Sequence, residues 1–459
     1  MLFSSITFLY YFLPVMLFIY FLVPKRMKNG VLLAGSLIFY AWGEVKYVLL
    51  MANSILIGYI SGRWIDHFRG MVRAKWGLML SVGIHLGLLG LFKYMDFFIS
   101  NVNRLTGGNF PLLKLVLPLG ISFYTFQIIS YEVDVFRGGA AQKNIVKLAV
   151  YISMFPQLIA GQIVRYEDIC HQLEERSCTL DGVARGLRLF ILGLGKKVIL
   201  ANTLGELCEI FKASADKSVV FFWIYGIALI LQIYFDFSGY SDMAVGLGHM
   251  FGFALPKNFN YPFIAKSVTE FWRRWHMSLG RWFRDYVYIP LGGNRGKKAR
   301  WLLHVGIVWL LTGLWHGAGW NFIIWGLFFG SLLVAEKLWF LKKLEKSRLL
   351  GHVYLIGVVI IGFMIFDASG IEEAMKNIGG LFGFGHIPLI SNESQYYLRS
   401  YGGIMAAAAA GATPLPGWIA AKAERKWPVM EPVFLTAVLL AVTACLVDGS
   451  FNPFLYFRF

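Results

Sequence analysis

The feature that most constrains this chain is a series of long apolar segments separated by short basic loops. Fourteen such segments occur in 459 residues, of which 57% are hydrophobic and only 15% are charged. A water-soluble domain needs more polar surface, so the sequence predicts an integral membrane protein. Continuous runs favour helices over a β-barrel, whose short strands alternate polar and apolar residues. The runs cover about 7–23, 31–42, 47–61, 77–92, 112–131, 145–162, 185–202, 218–235, 240–255, 302–315, 319–336, 352–367, 402–421 and 433–447.

The length of these segments decides how many of them can cross a bilayer. Several are shorter than the roughly 20 residues that a helix needs to span a hydrocarbon core of about 30 Å. We therefore predict an all-α polytopic membrane protein with about ten to twelve transmembrane helices and one or two re-entrant or broken segments. No polar stretch is long enough to fold alone, so residues 1–459 are interpreted as one membrane domain. The first run is expected to be a retained span and not a removed signal peptide.

Basic residues are concentrated in the loops between apolar runs, and the formal net charge is +17. This distribution is the positive-inside pattern of membrane proteins, so we expect a lipid bilayer and no nucleic acid as a partner. The early basic loops follow odd-numbered runs, which predicts that those loops are cytoplasmic and that the N-terminus lies outside. The dense basic clusters at 273–300 and 337–348 are expected to be cytoplasmic as well.

Several kinds of site are disfavoured by motifs that the sequence lacks. The four cysteines show no CxxC spacing and no pairing with histidine, so neither a metal site nor a disulfide framework is expected. No GxSxG, P-loop, HExxH or dinucleotide fingerprint occurs. Self-contained serine hydrolysis, ATP-driven transport and zinc proteolysis therefore lose support. A secondary transporter is unsupported too, because no second-half segment mirrors the first with broken helices.

One histidine is expected deep in the membrane. His316 follows the run 302–315, which begins beside one basic cluster, and the next run returns to the other. A helix from Trp301 to His316 rises about 22 Å, short of the far side of a core of about 30 Å. An ionisable residue there marks a functional site by default, and imidazole can take a proton from a hydroxyl during acyl transfer. The alternative is a histidine that is hydrogen-bonded into helix packing beside the Gly317–Gly319 turn.

A second histidine, His276, lies in a basic, tryptophan-rich stretch. Because that stretch is expected near the cytoplasmic boundary, an ordinary interfacial side chain is as good an interpretation as a chemical role. Lys196 and Lys197 follow two glycines between apolar runs. They could bind an anionic donor at a re-entrant turn, or they could extend to an interface as such pairs more often do.

Two acids, Asp236 and Asp242, occur in an apolar surround together with Tyr240 and Ser241. Carboxylates in such a segment must be paired, hydrogen-bonded or in contact with water. They could line a substrate path or orient a catalytic histidine. The alternative is a helix break that is capped by serine and aspartate.

The tryptophan-rich stretch around His276 and the segment around His316 resemble motifs of the membrane-bound O-acyltransferase superfamily. The residues that carry the likeness are Phe271-Trp272-Arg273-Arg274-Trp275-His276-Met277-Ser278-Leu279, Trp282-Phe283-Arg284-Asp285-Tyr286 and Leu314-Trp315-His316-Gly317. The segment Pro290-Leu291-Gly292-Gly293-Asn294-Arg295 is similar to the bacterial alginate O-acetyltransferase branch, as are residues 118–127, 155–161, 236–242 and 454–459. The likeness covers nearly the whole chain, with a signature core at about 115–340. One departure is Gln162, where the family usually has proline after glycine.

The resemblance implies a central funnel that passes an acyl group from a cytoplasmic thioester donor to an acceptor outside. Its near-invariant histidine corresponds to His316, as general base or acyl relay, and its second functional histidine to His276. It implies no bound cofactor, with acetyl-CoA or another acyl thioester as donor substrate. The further candidates for the donor site or tunnel are Asp236, Tyr240, Ser241, Asp242, Arg273, Arg274, Trp315 and Asn321.

The same branch implies the partners and the location. A polysaccharide, such as an alginate-like exopolysaccharide or a cell-wall glycan, would be the acceptor, and an extracytoplasmic SGNH-type acetyltransferase would be the protein partner. The protein would be multi-pass in the cytoplasmic (inner) membrane of a bacterium. Two rival functions stay open. One is D-alanyl transfer to teichoic acid from an acyl carrier protein, and the other is non-enzymatic transport of an acyl or glycan intermediate.

Overall fold

A computed structural model describes residues 1–158 and 162–449, and within these ranges the chain consists of helices and loops without a strand. Six of the described helices are long and apolar enough to cross a membrane, or seven if one bent pair forms a single span. The all-α polytopic membrane fold is therefore confirmed. The count of ten to twelve crossings stays a prediction, as does the central funnel. The aromatic segment 454–459 and residues 159–161 lie outside the described residues.

The chain forms two compact units, Met1–Phe190 with Met243–Pro256, and Ile191–Asp242 with Lys257–Phe459. That it forms one membrane domain stays a prediction. The first unit contains α1 (Leu13–Leu22), α2 (Lys28–Ala41), α3 (Val45–His67), α4 (Val72–Leu89), α5 (Met95–Thr106), α6 (Ile121–Phe136), α7 (Ile145–Ser153), α8 (Phe155–Leu158), α9 (Tyr166–Glu174) and most of α10 (Leu180–Gly195).

The second unit holds the remaining helices and most of α12, whose last turns belong to the first unit. Its helices are α11 (Asn202–Ala213), α12 (Val219–Met250), α13 (Val268–Arg274), α14 (Met277–Phe283), α15 (Lys298–His316), α16 (Trp320–Ala335), α17 (Leu341–Lys346), α18 (Arg348–Asp367), α19 (Ile371–Leu381), α20 (Asn392–Gly411), α21 (Leu415–Lys426) and α22 (Met430–Val447). Aromatic and branched side chains from α11, α12, α13, α16, α18 and α20 form one buried core.

In the first unit, α3 and α6 approach each other closely because glycine faces the partner helix. A Cβ on Gly58 would lie 2.9 Å from Ile128, and one on Gly62 would lie 2.6 Å from the Tyr131 hydroxyl. Glu132 is fully buried between these helices and accepts a hydrogen bond from the Ser81 hydroxyl at 2.5 Å. Buried carboxylates need such donors, so this polar contact belongs to the packing of the unit.

The apolar run 112–131 is only partly helical. Residues 107–118 are extended or irregular, and α6 begins at Ile121 after a turn in which Gly120 has a φ of 71°. Pro111 and Pro118 explain the difference, because proline lacks the N–H donor of a helix and disfavours a helical residue before it. The sequence run therefore overstated the length of this span.

Runs 218–235 and 240–255 were expected as separate segments, but α12 continues from the first into the second without interruption and ends at Met250. The helix break that served as an alternative for the acidic segment is wrong. Asp236 forms an ion pair of 2.5 Å with Lys197, and both side chains are almost completely buried. Asp242 pairs with Lys196 at 2.6 Å. The acids were expected to be paired, hydrogen-bonded or in contact with water, and the structure shows that both are paired.

The two lysines lie in a π-helical segment, Lys196–Ala201, that joins α10 to α11. The re-entrant turn proposed for them is therefore wrong, and Lys197 does not extend to an interface. Its approach to α12 requires glycine, because a Cβ on Gly239 would lie 2.7 Å from the carbonyl oxygen of Gly193. Close helix contact through small residues is the usual way to pack backbones in a membrane.

The helical hairpin predicted for residues 301–336 is confirmed. Helix α15 ends at His316, and α16 begins at Trp320 after an extended Gly317–Gly319 turn. The two helices touch backbone to backbone: a Cβ on Gly313 would lie 2.3 Å from the Phe322 carbonyl oxygen. The position of His316 relative to α16 therefore depends on a residue that has no side chain.

Replacing Gly313 by alanine tests this contact. The new methyl group would overlap a backbone oxygen that cannot rotate away, so α15 and α16 must separate, at a cost of about 1–3 kcal/mol. We expect a lower melting temperature of the purified protein. Gly306→Ala on the same helix is the matched control, since a Cβ there meets no atom within 4 Å. Equal melting temperatures for the two variants would contradict the packing described.

Candidate active site

His316 is the last residue of α15 and is 9% exposed. Its ring is held among aromatic side chains, with centroid distances of 4.9 Å to Trp325 and 5.3 Å to Phe366. Both contacts are near-perpendicular, the arrangement that aromatic quadrupoles favour. The indole of Trp325 comes from α16 and the phenyl ring of Phe366 from α18, so three helices fix the imidazole.

His276 has an unusual backbone conformation, with φ 43° and ψ 52° just before α14. A left-handed conformation at a residue other than glycine costs about 1 kcal/mol or more and is found preferentially at functional sites. Asn258 holds this turn in place. Its carbonyl oxygen accepts a hydrogen bond from Met277 N–H, and its side-chain oxygen accepts from Ser278 N–H. The imidazole of His276 is 5% exposed.

Trp315 connects the two histidines. Its ring centroid lies 5.9 Å from that of His276 and 4.9 Å from that of His316. Asn321, at the start of α16, donates hydrogen bonds to the carbonyl oxygens of Phe366 and Ala368 at 3.2 and 2.9 Å. The structure therefore brings four of the predicted residues into one cluster.

A cavity of about 190 Å³ lies beside His276. One wall comes from α13, α14 and the residue pair between them, namely Trp272, Trp275, His276, Leu279, Gly280 and Phe283. The opposite wall consists of Arg284, Tyr288, Val308, Trp309 and Thr312.

The cavity is chiefly apolar and has few polar groups. Thr312 lies one helical turn before His316 on α15, but His316 itself is not among the residues that line the cavity. In the described part of the chain, Trp272 Nε1 and His276 Nδ1 have no hydrogen-bond partner. A narrow apolar cavity with a few polar atoms is typical of a small-molecule site.

One end of the cavity is basic. Arg284 has a side chain that is 61% exposed and pairs with Asp285 at 2.7 Å. Four exposed cations follow in the sequence: Arg295 and Lys297 in the next loop, and Lys298 and Arg300 in the first turn of α15. This loop is tied to α15, since His304 Nδ1 lies 2.9 Å from the carbonyl oxygen of Gly293.

Helix α13 is positioned by a buried carboxylate from the end of α16. Glu336 is fully buried and accepts hydrogen bonds from the backbone N–H groups of Val268 and Thr269 at 2.6 and 2.8 Å. The Thr269 hydroxyl donates a third bond at 2.6 Å. An anion at a helix N-terminus satisfies donors that have no partner within the helix. Glu336 thereby fixes the helix that carries Trp272.

The other predicted residues have different surroundings. Arg274 pairs with Glu270 at 2.8 Å and donates to the carbonyl oxygen of Asn260, so it holds the turn before His276. Arg273 is exposed. The remaining four candidates lie on α12, outside the lining of the cavity: Asp236, Tyr240, Ser241 and Asp242.

Sequence reasoning missed Trp309, Thr312, Gly280, His304 and Glu336. A helical period could have found Thr312, because residues four apart share one face of a helix. The contacts of Glu336 and His304 span 67 and 11 residues, so no local pattern reveals them.

The chemistry available is that of neutral imidazole in an apolar surround. His276 lies outside the candidate spans, and its burial lowers its pKa to about 4. At neutral pH it is therefore uncharged and can accept a hydrogen bond. No group of three or more His, Cys, Asp or Glu residues in the described ranges could hold a metal ion.

The comparisons with known proteins identify the family of this chain. Residues 138–370 match the sequence model of MBOAT, the membrane-bound O-acyltransferase family. The chain is 38% identical to a probable alginate O-acetylase of Azotobacter vinelandii over the full length of both. It is 33% identical to a peptidoglycan O-acetyltransferase of Helicobacter pylori, over 87% of this chain and 83% of that protein. It is 29% identical to a teichoic acid D-alanyltransferase of Bacillus subtilis, over 56% of this chain and 71% of that protein.

The resemblance inferred from the tryptophan-rich motifs is confirmed, and so is the expectation of an enzyme that transfers acyl groups. A multi-pass helical fold and a family match over half of the chain lead to the same conclusion. The chain belongs to the membrane-bound O-acyltransferase family and is a multi-pass membrane O-acyltransferase.

Proposed function

We propose that this protein transfers acetyl from acetyl-CoA at the cytoplasmic face to a polysaccharide outside, with His316 as the general base or acyl relay. The observation that carries the proposal is the contact of Trp315 with both His316 and His276, of which His276 lines an apolar cavity. Similarity to proteins named for O-acetylation of alginate and peptidoglycan supports acetyl as the group and a glycan as the acceptor. The protein acts in the cytoplasmic membrane of a bacterium, together with an extracytoplasmic SGNH-type partner.

The cavity suits the thioester arm of the donor. Its apolar walls accept a thin flexible chain, while Trp272 Nε1 can donate and His276 Nδ1 can accept a hydrogen bond from the polar groups of that chain. Arg284 and the exposed basic residues of segment 295–300 favour binding of the phosphates of coenzyme A at the cytoplasmic end of the cavity. Arg273 is exposed close to this region of the sequence and contributes to the same positive charge.

The chemical step needs a base near the thioester group of the donor. His316 takes the proton of the acceptor hydroxyl, and the resulting oxygen nucleophile attacks the thioester carbonyl carbon. The carbon–sulfur bond breaks, the ester forms, and the thiolate receives the proton from the imidazole. His276 holds the donor near its thioester. Trp315 and Asn321 keep the acceptor site at His316 and the donor site at His276 in a fixed relative position. Asp236 and Asp242 stabilise α12.

The rival D-alanyl transfer has weaker support. The relative named for that reaction matches over 56% of this chain, whereas the O-acetylase match covers all of it. Purified protein should therefore transfer label from acetyl-CoA to an acceptor glycan and should leave a D-alanyl carrier thioester intact. Transfer from the carrier thioester alone would establish the rival function. Glycan movement without either acyl transfer would establish the transporter.

A further inference from the structure

The C-terminal end of α18 is held by an ionic contact that the proposed reaction does not use. Asp367, the last residue of α18, has a side chain that is 6% exposed. Its Oδ2 atom lies 2.7 Å from the ammonium group of Lys212 on α11 and accepts a hydrogen bond of 2.8 Å from the Tyr225 hydroxyl on α12. Two separate helices therefore fix this one carboxylate.

A carboxylate is electrostatically unfavourable at this position, because a helix carries partial negative charge at its C-terminus. The cation and the hydroxyl compensate for that effect. The residues on both sides of Asp367 are also bound, since Asn321 on α16 donates to the carbonyl oxygens of Phe366 and Ala368. Three helices thus converge on a single turn of backbone.

This turn carries a ring that touches the catalytic candidate. Phe366 contacts the imidazole of His316 with a centroid distance of 5.3 Å, and it also contacts Trp325 at 5.2 Å. The Phe366 ring and its own backbone move together. Any shift of the end of α18 therefore moves one of the aromatic contacts that orient the His316 ring.

We propose that Asp367, together with Lys212 and Tyr225, positions His316 for acyl transfer by fixing Phe366 against the imidazole. The role rests on the proposed function of His316, and Asp367 itself touches neither substrate. The contact gives a role to a charge pair at the end of an apolar helix. A hydrophobic residue there would remove the contacts of this turn with Lys212 and Tyr225.

The substitution Asp367→Asn tests the role without leaving the Lys212 ammonium group buried and unpaired. Lys212 is 25% exposed, and its second partner, Glu209, lies at 3.5 Å. We expect kcat to fall about 10- to 100-fold while the KM for the donor stays within about twofold, as a misplaced catalytic group would predict. Tyr225→Phe should show the same pattern with a smaller loss. Glu209→Gln is the matched control, because it removes the other acid at Lys212 and should change kcat by less than about twofold.

A measurement without substrate separates this inference from the proposed function. Diethyl pyrocarbonate modifies accessible imidazoles, and mass spectrometry resolves His316 from the other histidines. A loosened Phe366 should let His316 react at least about threefold faster in Asp367→Asn, with His352 and the Glu209→Gln protein unchanged. Equal rates at His316, or a uniform increase at every histidine, would overturn the positioning role. An inactive wild type with the expected modification pattern would refute the proposed function but would still show that Asp367 holds Phe366 against the His316 ring.

Discussion

His316→Ala is expected to abolish acetyl transfer while the protein remains folded and inserted. General acid–base catalysis contributes about 100- to 10,000-fold to a rate, and no other imidazole occupies the end of α15. The loss should appear in kcat, because the proton leaves the acceptor hydroxyl only in the transition state. The measurement is the initial rate of ester formation with labelled acetyl-CoA.

Two further variants exclude unfolding as the cause. Truncation to alanine leaves a void between Trp325 and Phe366, so His316→Gln should be measured beside it, since it fills most of that space but provides no base. Both variants should lose activity to a similar extent. His352→Gln is the matched control on α18, where His352 Nδ1 only contacts the carbonyl oxygen of Ala265 at 3.0 Å. Full activity in His316→Gln would exclude the assigned role.

The second large effect is expected at Gly280, which lines the cavity and has open space at its Cβ position. A Cβ on this residue meets no atom within 4 Å, and Gly280 lies within helix α14. Replacement by alanine and then leucine should lower kcat/KM for the donor in steps, reaching about 10- to 100-fold for leucine because the thioester arm loses its space. Initial rates over a range of acetyl-CoA concentrations measure this change.

These substitutions should not weaken the fold. Glycine within a helix is about 1 kcal/mol less favourable than alanine, so Gly280→Ala should melt at the same temperature as the wild type or higher. Gly306→Leu on α15 serves as the control, since Gly306 also has open space around its Cβ but does not line the cavity. An unchanged kcat/KM in Gly280→Leu would mean that the donor uses another route.

The helical hairpin and its histidine were predictable because the signals are local. Apolar runs, flanking cations and the glycines at 317 and 319 occur within one short stretch, and together they indicate two helices joined by a turn. The depth of His316 in the membrane stays a prediction. The structure agrees at both ends of the turn, with α15 ending at His316 and α16 beginning at Trp320.

The acidic segment of α12 was harder to interpret because its contacts are not local in the sequence. Its two ion pairs join residues that are 39 and 46 positions apart in the chain. Sequence reasoning could state that Asp236 and Asp242 needed partners, but the choice of Lys197 and Lys196 depends on how α12 packs against the π-helical segment. Once the charges are paired, nothing remains to break the helix.

The backbone at His276 could not be predicted at all. A left-handed residue is usually glycine or asparagine, and the Trp275–His276–Met277 sequence carries no such signal. The turn exists because Asn258, from a distant loop, binds the start of α14. Likewise, the capping of α13 by Glu336 depends on a contact between segments that are far apart in sequence.

The most direct test of the account encloses acetyl-CoA in proteoliposomes and places the acceptor polysaccharide outside, with the extracytoplasmic proteins of the same cell. The amount of free coenzyme A thiol inside the vesicles and the amount of acetyl ester outside are then measured in the same sample. The account predicts equal amounts of both, and background amounts of both for His316→Ala. Ester formation that persists in that variant, or thiol release without any ester outside, would contradict transfer through His316.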